Sequence, residues 1–135
     1  SDLSGTALWA KSVTAGTNDS SFYSVAVDSS GNIYAAGSQR GTESYTYGEG
    51  VSVAGSSSGR NVVLVKYNSS GAALWAKSVT TGTKNSWFGS VAVDSSGNVY
   101  AAGDQEGTGS YTYGDGVSVA GTGLSNAVIV KYGAP

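Results

Sequence analysis

The feature that most constrains this chain is an internal repeat with a period of 66 residues. Residues 5–55 align with residues 71–121 without a gap, and 40 of these 51 positions are identical. After position 55 the second copy lacks one loop residue, and 62–67 then aligns with 127–132. In such repeats one unit cannot bury its own faces and stacks on its neighbours. We therefore treat 1–135 as a single module of two units, about 5–66 and 71–132.

Each unit reads as short strands joined by tight turns. The segment Asp28-Ser29-Ser30-Gly31 suits a type I turn, because the Asp carboxylate can accept turn amides and Gly can adopt a positive φ. The same pattern returns at 94–97 and 68–71, and in looser form at 2–5. Gly and β-branched residues interrupt every window long enough for a helix. The sequence therefore predicts an all-β fold with antiparallel hairpins.

The predicted strands of one unit are lettered A to D. The first unit supplies A at 24–27, B at 32–37, C at 61–67 and D at 74–79. The second supplies A at 90–93, B at 98–103 and C at 126–132, whereas a D strand at 8–13 begins the chain. Gly-rich arms at 41–55 and 107–121 are candidates for extra hairpins. Strand 61–67 is apolar on both faces, which predicts a sheet covered on each side.

Three motifs of the second unit carry a family resemblance. Leu74-Trp75-Ala76-Lys77 is followed by the segment 90–100, Ser-Val-Ala-Val-Asp-Ser-Ser-Gly-Asn-Val-Tyr, and then by Val-Ile-Val-Lys-Tyr at 128–132. This order resembles the bacterial seven-bladed β-propeller repeats. The resemblance implies four-stranded blades in exported or cell-surface proteins, and it carries no catalytic residue. Closed propellers need about four to eight blades, so we expect two four-stranded antiparallel β-propeller blades whose ring is completed by oligomerisation.

The shifted strand order predicts how copies would join. The last unit lacks its own D strand, and its C strand would leave a bare apolar edge. Strand 8–13 of a neighbouring chain could complete that blade in trans. Such a head-to-tail contact must close or propagate, and we expect a C3 or C4 homo-oligomer. The predicted contact residues are Leu8, Trp9, Ala10 and Val13 on the donor and Ala127, Val128, Ile129 and Val130 on the acceptor.

Composition argues against catalysis. The chain has no His and no Cys, which excludes Ser–His–Asp, Cys–His and histidine–metal arrangements. Carboxylate pairs such as Glu49 with Asp115, or Asp104 with Glu106, could in principle hydrolyse glycosides. The repetition of Glu49 as Asp115 in the second unit favours turn geometry instead. We therefore predict no enzyme activity and no cofactor.

Charge and polarity restrict the partners. The net charge is −2 and the seven basic residues are scattered, so a nucleic-acid surface is not expected. No apolar run approaches the length that spans a membrane. The turn at Asp28 offers too few hard oxygens for a tight calcium site. A surface rich in Ser, Thr, Gly and Asn favours a secreted or cell-envelope location.

The aromatic residues of the Gly-rich arms suggest a ligand. Sugars are bound by stacking faces beside hydrogen-bonding carboxylates, but the pattern favours structural packing of the arm over this role. Three functions remain open: a self-assembling binding or scaffold module that contacts protein or glycan, a lectin with one site per blade, and a purely structural or engineered scaffold. The candidate ligand residues are Tyr45, Tyr47, Glu49, Tyr111, Tyr113, Asp115 and Trp87.

Overall fold

The computed structural model describes residues 4–134, which form antiparallel β structure without a helix. The strands are β1 (Ser20–Val27), β2 (Ile33–Arg40), β3 (Ser44–Gly48), β4 (Val51–Ala54), β5 (Arg60–Tyr67), β6 (Ala73–Lys77), β7 (Ser86–Val93), β8 (Val99–Glu106), β9 (Ser110–Gly114), β10 (Val117–Ala120) and β11 (Ser125–Tyr132). The all-β prediction is confirmed.

The strands are arranged in two sheets and two hairpins. Sheet 1 has the order β1-β2-β5-β6, and sheet 2 has the order β11-β8-β7. Hairpin 1 pairs β3 with β4, and hairpin 2 pairs β9 with β10. Both predicted extra hairpins are therefore present. Sheet 2 lacks the fourth strand that β6 provides in sheet 1.

The predicted turns at 28–31, 68–71 and 94–97 join neighbouring strands of the sheets, whereas the predicted turn at 2–5 lies partly outside the described residues. Gly31 has a φ of +84° and donates its N–H to the Asp28 carbonyl at 3.1 Å. The Asp28 carboxylate accepts the amides of Ser30 and Asn32 at 2.9 and 3.0 Å. The Asp and Gly of the pattern therefore do what the turn type requires.

The principal core lies between the two sheets. Tyr34, Val62 and Leu64 of sheet 1 pack in one cluster with Phe88 and Val91 of β7. The opposite face of sheet 1 is covered by hairpin 1 and forms a second cluster. Strand β5 is thus buried on both faces from position 61 to position 67, as its apolar pattern predicted.

The first predicted strand, 8–13, is not a strand in the single chain. Residues 5–13 pair with no other strand, although the following Thr14 donates its N–H to the Thr46 carbonyl of hairpin 1 at 2.8 Å. Extended backbone becomes a strand only where an edge accepts its hydrogen bonds, and the first β-bridge in this part of the chain is at Ala15. Residues 8–13 therefore form no strand within one chain, and their pairing with a neighbouring copy stays a prediction.

Other strand boundaries also differ from the prediction. Both A strands begin four residues earlier, at Ser20 and Ser86, because a β-bulge near Tyr23 or Gly89 lets the pairing continue. Strand β6 ends at Lys77. Beyond it the chain turns away, and Val79 is buried in the principal core with the tyrosines of hairpin 2.

Candidate self-association site

The two sheets carry equivalent residues but differ in what covers them. We call the face of each sheet that bears Leu64, or its equivalent Ile129, the front face. The back face bears Phe22 in sheet 1 and Phe88 in sheet 2. Within the chain, the front face of sheet 1 packs against the back face of sheet 2. The front face of sheet 2 and the β1 part of the back face of sheet 1 remain open.

The front faces show the difference most clearly at one position of the C strand. Leu64 is 0% exposed, whereas Ile129 is 72% exposed. Val62 is fully buried, and its equivalent Ala127 is exposed. The front face of sheet 2 therefore displays apolar groups at positions that sheet 1 buries.

The back faces show the converse. Phe88 is 0% exposed and Phe22 is 42% exposed. Val91 is buried against sheet 1, whereas its equivalent Val25 lies in the open. The two open faces are thus equivalent in position to the two halves of the internal interface.

Polar contacts fix the register of this internal interface. Ser78 Oγ donates to the Val62 carbonyl at 2.6 Å, and the Val62 N–H donates to Ser86 Oγ at 3.1 Å. The equivalent hydroxyls of the first unit, Ser12 and Ser20, line an open cleft of about 200 Å³. That cleft corresponds to the place where Val62 sits in the internal interface.

The free edge of β11 borders a second cleft. In sheet 1 the equivalent edge, β5, pairs with β6. Beside β11 lies a space of about 330 Å³ lined by Tyr113 and Val117 of hairpin 2 and by Val130 and Tyr132. In sheet 1 the equivalent space between hairpin and edge strand holds β6, and a Cβ on Gly48 would come within 2.8 Å of the Ala73 Cβ. The cleft beside β11 therefore has the position of a missing fourth strand.

The N-terminal segment has the sequence of that missing strand. Residues 7–14 are identical to residues 73–80, which contain β6. Leu8 is 73% exposed, and Trp9 Nε1 donates to the Ser69 carbonyl at 3.3 Å. Trp9 lines a cleft of about 400 Å³ with Tyr67 on the back face of sheet 1. Trp75 of β6 borders Tyr132 of sheet 2 in the same way, so the segment already lies beside sheet 1 as β6 lies beside sheet 2.

The predicted contact residues divide into two groups. Ala127 and Ile129 lie on the open front face, and Leu8, Trp9 and Ala10 lie in the unpaired segment. The other three residues are inside the chain. Val128 and Val130 belong to the principal core, and Val13 packs against the second cluster. Their side chains point into the chain, because alternate residues of a strand point to opposite faces. Their part in a contact between copies stays a prediction.

The predicted aromatic ligand set is not exposed. Tyr45 and Tyr111 are buried and donate their hydroxyls to the carbonyls of Arg40 and Glu106 at 2.6 and 2.7 Å. Burial raises the pKa of both phenols. These rings offer no stacking face to a sugar.

The second pair of tyrosines is buried in the same manner. Tyr47 and Tyr113 donate to the Oε1 atoms of buried Gln39 and Gln105 at 2.8 and 2.7 Å. The burial of all four tyrosines therefore favours packing of the arm over a sugar-stacking face. The Tyr-Thr-Tyr spacing indicates this shared burial, because positions two apart on a strand lie on one face.

The remaining predicted ligand residues lie apart from one another. Glu49 is at the exposed turn of hairpin 1 and Asp115 at that of hairpin 2. Trp87 is half-buried near the start of β7, on the strand paired with β8. These residues do not form one cluster with the buried tyrosines.

The turn carboxylates are occupied by the chain itself. Asp28 accepts hydrogen bonds from Ser30, Asn32 and the Tyr34 hydroxyl. Partial burial alone would raise the pKa of Asp28, but these bonds outweigh it and lower the pKa to about 2. At Asp94 the equivalent bonds, led by that from the Asn98 side chain, also lower the pKa to about 2. This arrangement supports a structural role for both residues.

No protein-family model matches the chain, and no curated protein matches it. The resemblance to propeller repeats therefore stays a prediction. Residues 4–134 contain no helix that is long and apolar enough to cross a membrane. Among the same described residues, no group of three His, Cys, Asp or Glu side chains could hold a metal ion.

Proposed function

We propose that this chain is a non-catalytic β-propeller module whose copies associate head to tail. Each copy lends residues 7–11 to a neighbour as the fourth strand of sheet 2, and its back face receives the neighbour's front face. The observation that supports this most is that each half of the internal interface has an equivalent left open at the other end of the chain. Three chains would give six blades and four would give eight, both within the range of about four to eight for closed rings.

The register that we propose between β11 and residues 7–11 is the one that β5 and β6 have within the chain. In sheet 1, Val65 pairs with Ala76 and Leu64 pairs with Lys77. Carried to the neighbouring copy, the same register pairs Val130 with Ala10 and Ile129 with Lys11. The donor segment then fills the cleft beside β11, and Trp9 takes the place that Trp75 has in sheet 1.

Energetics favour closure over an open series. Burying a Phe, Val or Ile side chain stabilises by about 1.5–3 kcal/mol each, whereas recruiting a separate partner costs about 4–15 kcal/mol. One interface is therefore of modest strength. Closing the ring forms a further interface without recruiting another chain, and it removes the last exposed edge.

The alternatives are supported less well. A lectin with one site per blade loses its proposed stacking platform, since all four tyrosines are buried. A purely structural scaffold would share the same assembly and lack a ligand. The low charge and the Ser- and Thr-rich surface favour a secreted or cell-envelope setting for either form.

The substitution Ile129→Glu tests the proposal. This side chain is exposed in the single chain but would be buried in the ring, where an unpaired carboxylate is strongly unfavourable. We expect the variant to fold, with an unchanged far-ultraviolet circular dichroism spectrum, and to sediment as a monomer where the parent sediments as an oligomer.

The matched control is Ser52→Glu, which adds the same charge to an exposed position of hairpin 1. It should leave the oligomer intact. An Ile129→Glu variant that associates as strongly as the control would rule out the front face of sheet 2 as the contact surface.

A further inference from the structure

One loop of the first unit is closed by a built-in carboxylate. Glu43 Oε1 accepts the Thr17 N–H at 2.9 Å and the Thr17 hydroxyl at 3.1 Å. Its Oε2 accepts that hydroxyl at 2.9 Å and Asn18 Nδ2 at 2.9 Å. These bonds, led by that of the Thr17 amide, lower the pKa of Glu43. Thr17 and Asn18 therefore form a set of hydrogen-bond donors whose acceptor, Glu43, belongs to the same chain.

The second unit keeps the loop but lacks that carboxylate. Gly82 has a φ of +133°, close to the +127° of its equivalent Gly16, and Thr83 stands at the position of Thr17. Position 109 is Gly instead of Glu, and Lys84 replaces Asn18. The second loop thus retains the threonine donors, gains a cation and lacks the carboxylate that Glu43 supplies in the first.

Open space lies where the carboxylate would be. A cleft of about 300 Å³ is lined by Thr83, Lys84, Gly109 and Tyr111, among others. A Cβ placed on Gly109 would meet no atom within 4 Å. The cleft can therefore admit a group the size of a carboxylate without a change in the backbone.

We propose that this cleft binds the carboxylate of an external ligand in the place that Glu43 occupies in the first unit. The Thr83 N–H and hydroxyl donate to it, and the Lys84 ammonium takes the position of the Asn18 amide. Hydrogen bonds to an ionised acceptor are among the stronger ones. The ligand class is a singly charged carboxylate, since the Glu106 carboxylate also lines the cleft and disfavours anions of higher charge.

The site is separate from the proposed ring contact. Of the residues that line it, only Glu106, at the end of β8, belongs to the front-face row of sheet 2, and none lies on β1 or in the segment 7–11. A failure of this inference therefore leaves the association proposal untouched, and the reverse also holds. It is also confined to the second unit, because Glu43 fills the equivalent place in the first.

The test is an NMR titration of the full chain with sodium acetate at pH 7, with chloride adjusted to hold the ionic strength constant. We expect a saturable shift of the Thr83 and Lys84 amide signals, with half-saturation in the millimolar range. The Thr17 and Asn18 signals should not move, because Glu43 already occupies their site. The same titration on Ile129→Glu should give the same result in a protein of smaller size.

Two variants make the test specific. Gly109→Glu should supply the carboxylate from within, abolish the acetate response and raise the denaturation midpoint. Lys84→Asn should weaken acetate binding about tenfold by removing the cation. N-acetylalanine and glucuronate then separate a peptide terminus from a sugar acid as the source of the carboxylate.

Three results would overturn the inference. These are the absence of a saturable shift at Thr83, an equal shift at Thr17, and a response to phosphate that is stronger than the response to acetate. An unchanged acetate response in Gly109→Glu would also contradict it, because the proposed place would then be filled.

Discussion

Phe22 and Phe88 occupy the same position in two copies of one sequence unit, yet their surroundings differ. Phe88 stacks on Tyr113 with ring centroids 6.1 Å apart and is closed off by sheet 1. The ring centroids of Phe22 and Tyr47 are 5.9 Å apart, but no sheet packs against Phe22. The difference in exposure therefore measures the absence of a neighbour rather than a difference in local structure.

Truncating these two rings separates folding from association. Phe88→Ala should lower the free energy of unfolding by about 3–5 kcal/mol at any protein concentration, because it leaves a cavity in the core. Phe22→Ala should cost less in a dilute chain but should weaken self-association. Chemical denaturation at two protein concentrations, with sedimentation of both variants, measures the two effects.

Equal losses for the two variants in dilute solution would contradict this account. So would a Phe22→Ala variant that associates like the parent. Either result would mean that the β1 face is not a contact surface.

Among the secondary-structure elements, the segment 7–11 and strand β6 provide the clearest comparison. Their sequences are identical, yet only β6 is paired, because only β5 offers it an edge. Strand formation in this protein thus depends on an available edge more than on local propensity. The same reasoning explains why β11 has one strand partner where β5 has two.

A cysteine pair can test the proposed strand exchange. The chain has no native cysteine, so Ala10→Cys with Val130→Cys gives a single possible disulfide. The two positions lie opposite each other in the proposed register between copies, and we expect an oxidised dimer or a covalently closed ring on a non-reducing gel. The matched control is Ala76→Cys with Val65→Cys, which has the same register within one chain and should give an oxidised monomer.

A bond in the control without one in the test pair would contradict strand exchange, since the geometry of the two pairs would be the same. A test pair that closes only within a single chain would contradict it as well. Strand 7–11 would then find its partner on its own chain.

One loop must differ between the internal and the proposed contact. A side chain at Gly59 would overlap Asn85 Oδ1 in the internal interface. The equivalent position at the open end is Leu124, which is exposed and lies in a loop one residue shorter. We therefore expect the loop before β11 to lie farther from the neighbouring copy than its internal equivalent.

For the molecule as a whole, what could be predicted followed from local patterns. The turn at Asp28, the apolar C strand and the Gly-rich hairpins were all readable from spacing and residue type. The burial of Tyr45 and Tyr47 was also encoded, in the two-residue spacing of hairpin 1. The unpaired state of residues 7–11 could not be predicted, because pairing depends on an available strand edge and not on the residues of the segment itself.

The candidate site could be predicted only in part. The repeat indicated that the two end faces would be open, and Ile129 and Trp9 are exposed there. Their role as contact residues stays a prediction. The inward orientation of Val128 and Val130 depends on the exact phase of β11, which sequence alternation leaves ambiguous in an all-apolar run. The cleft beside Gly109 could not be predicted from the sequence, because it depends on which donors Glu43 contacts in the first unit.

The mass in solution tests the central claim most directly. Multi-angle light scattering at micromolar concentration should give three or four times the 13.4 kDa of one chain, unchanged on moderate dilution because a closed ring has no free end. A stable species of 13.4 kDa under these conditions, or a mass that grows continuously with concentration, would contradict a closed ring of exchanged strands.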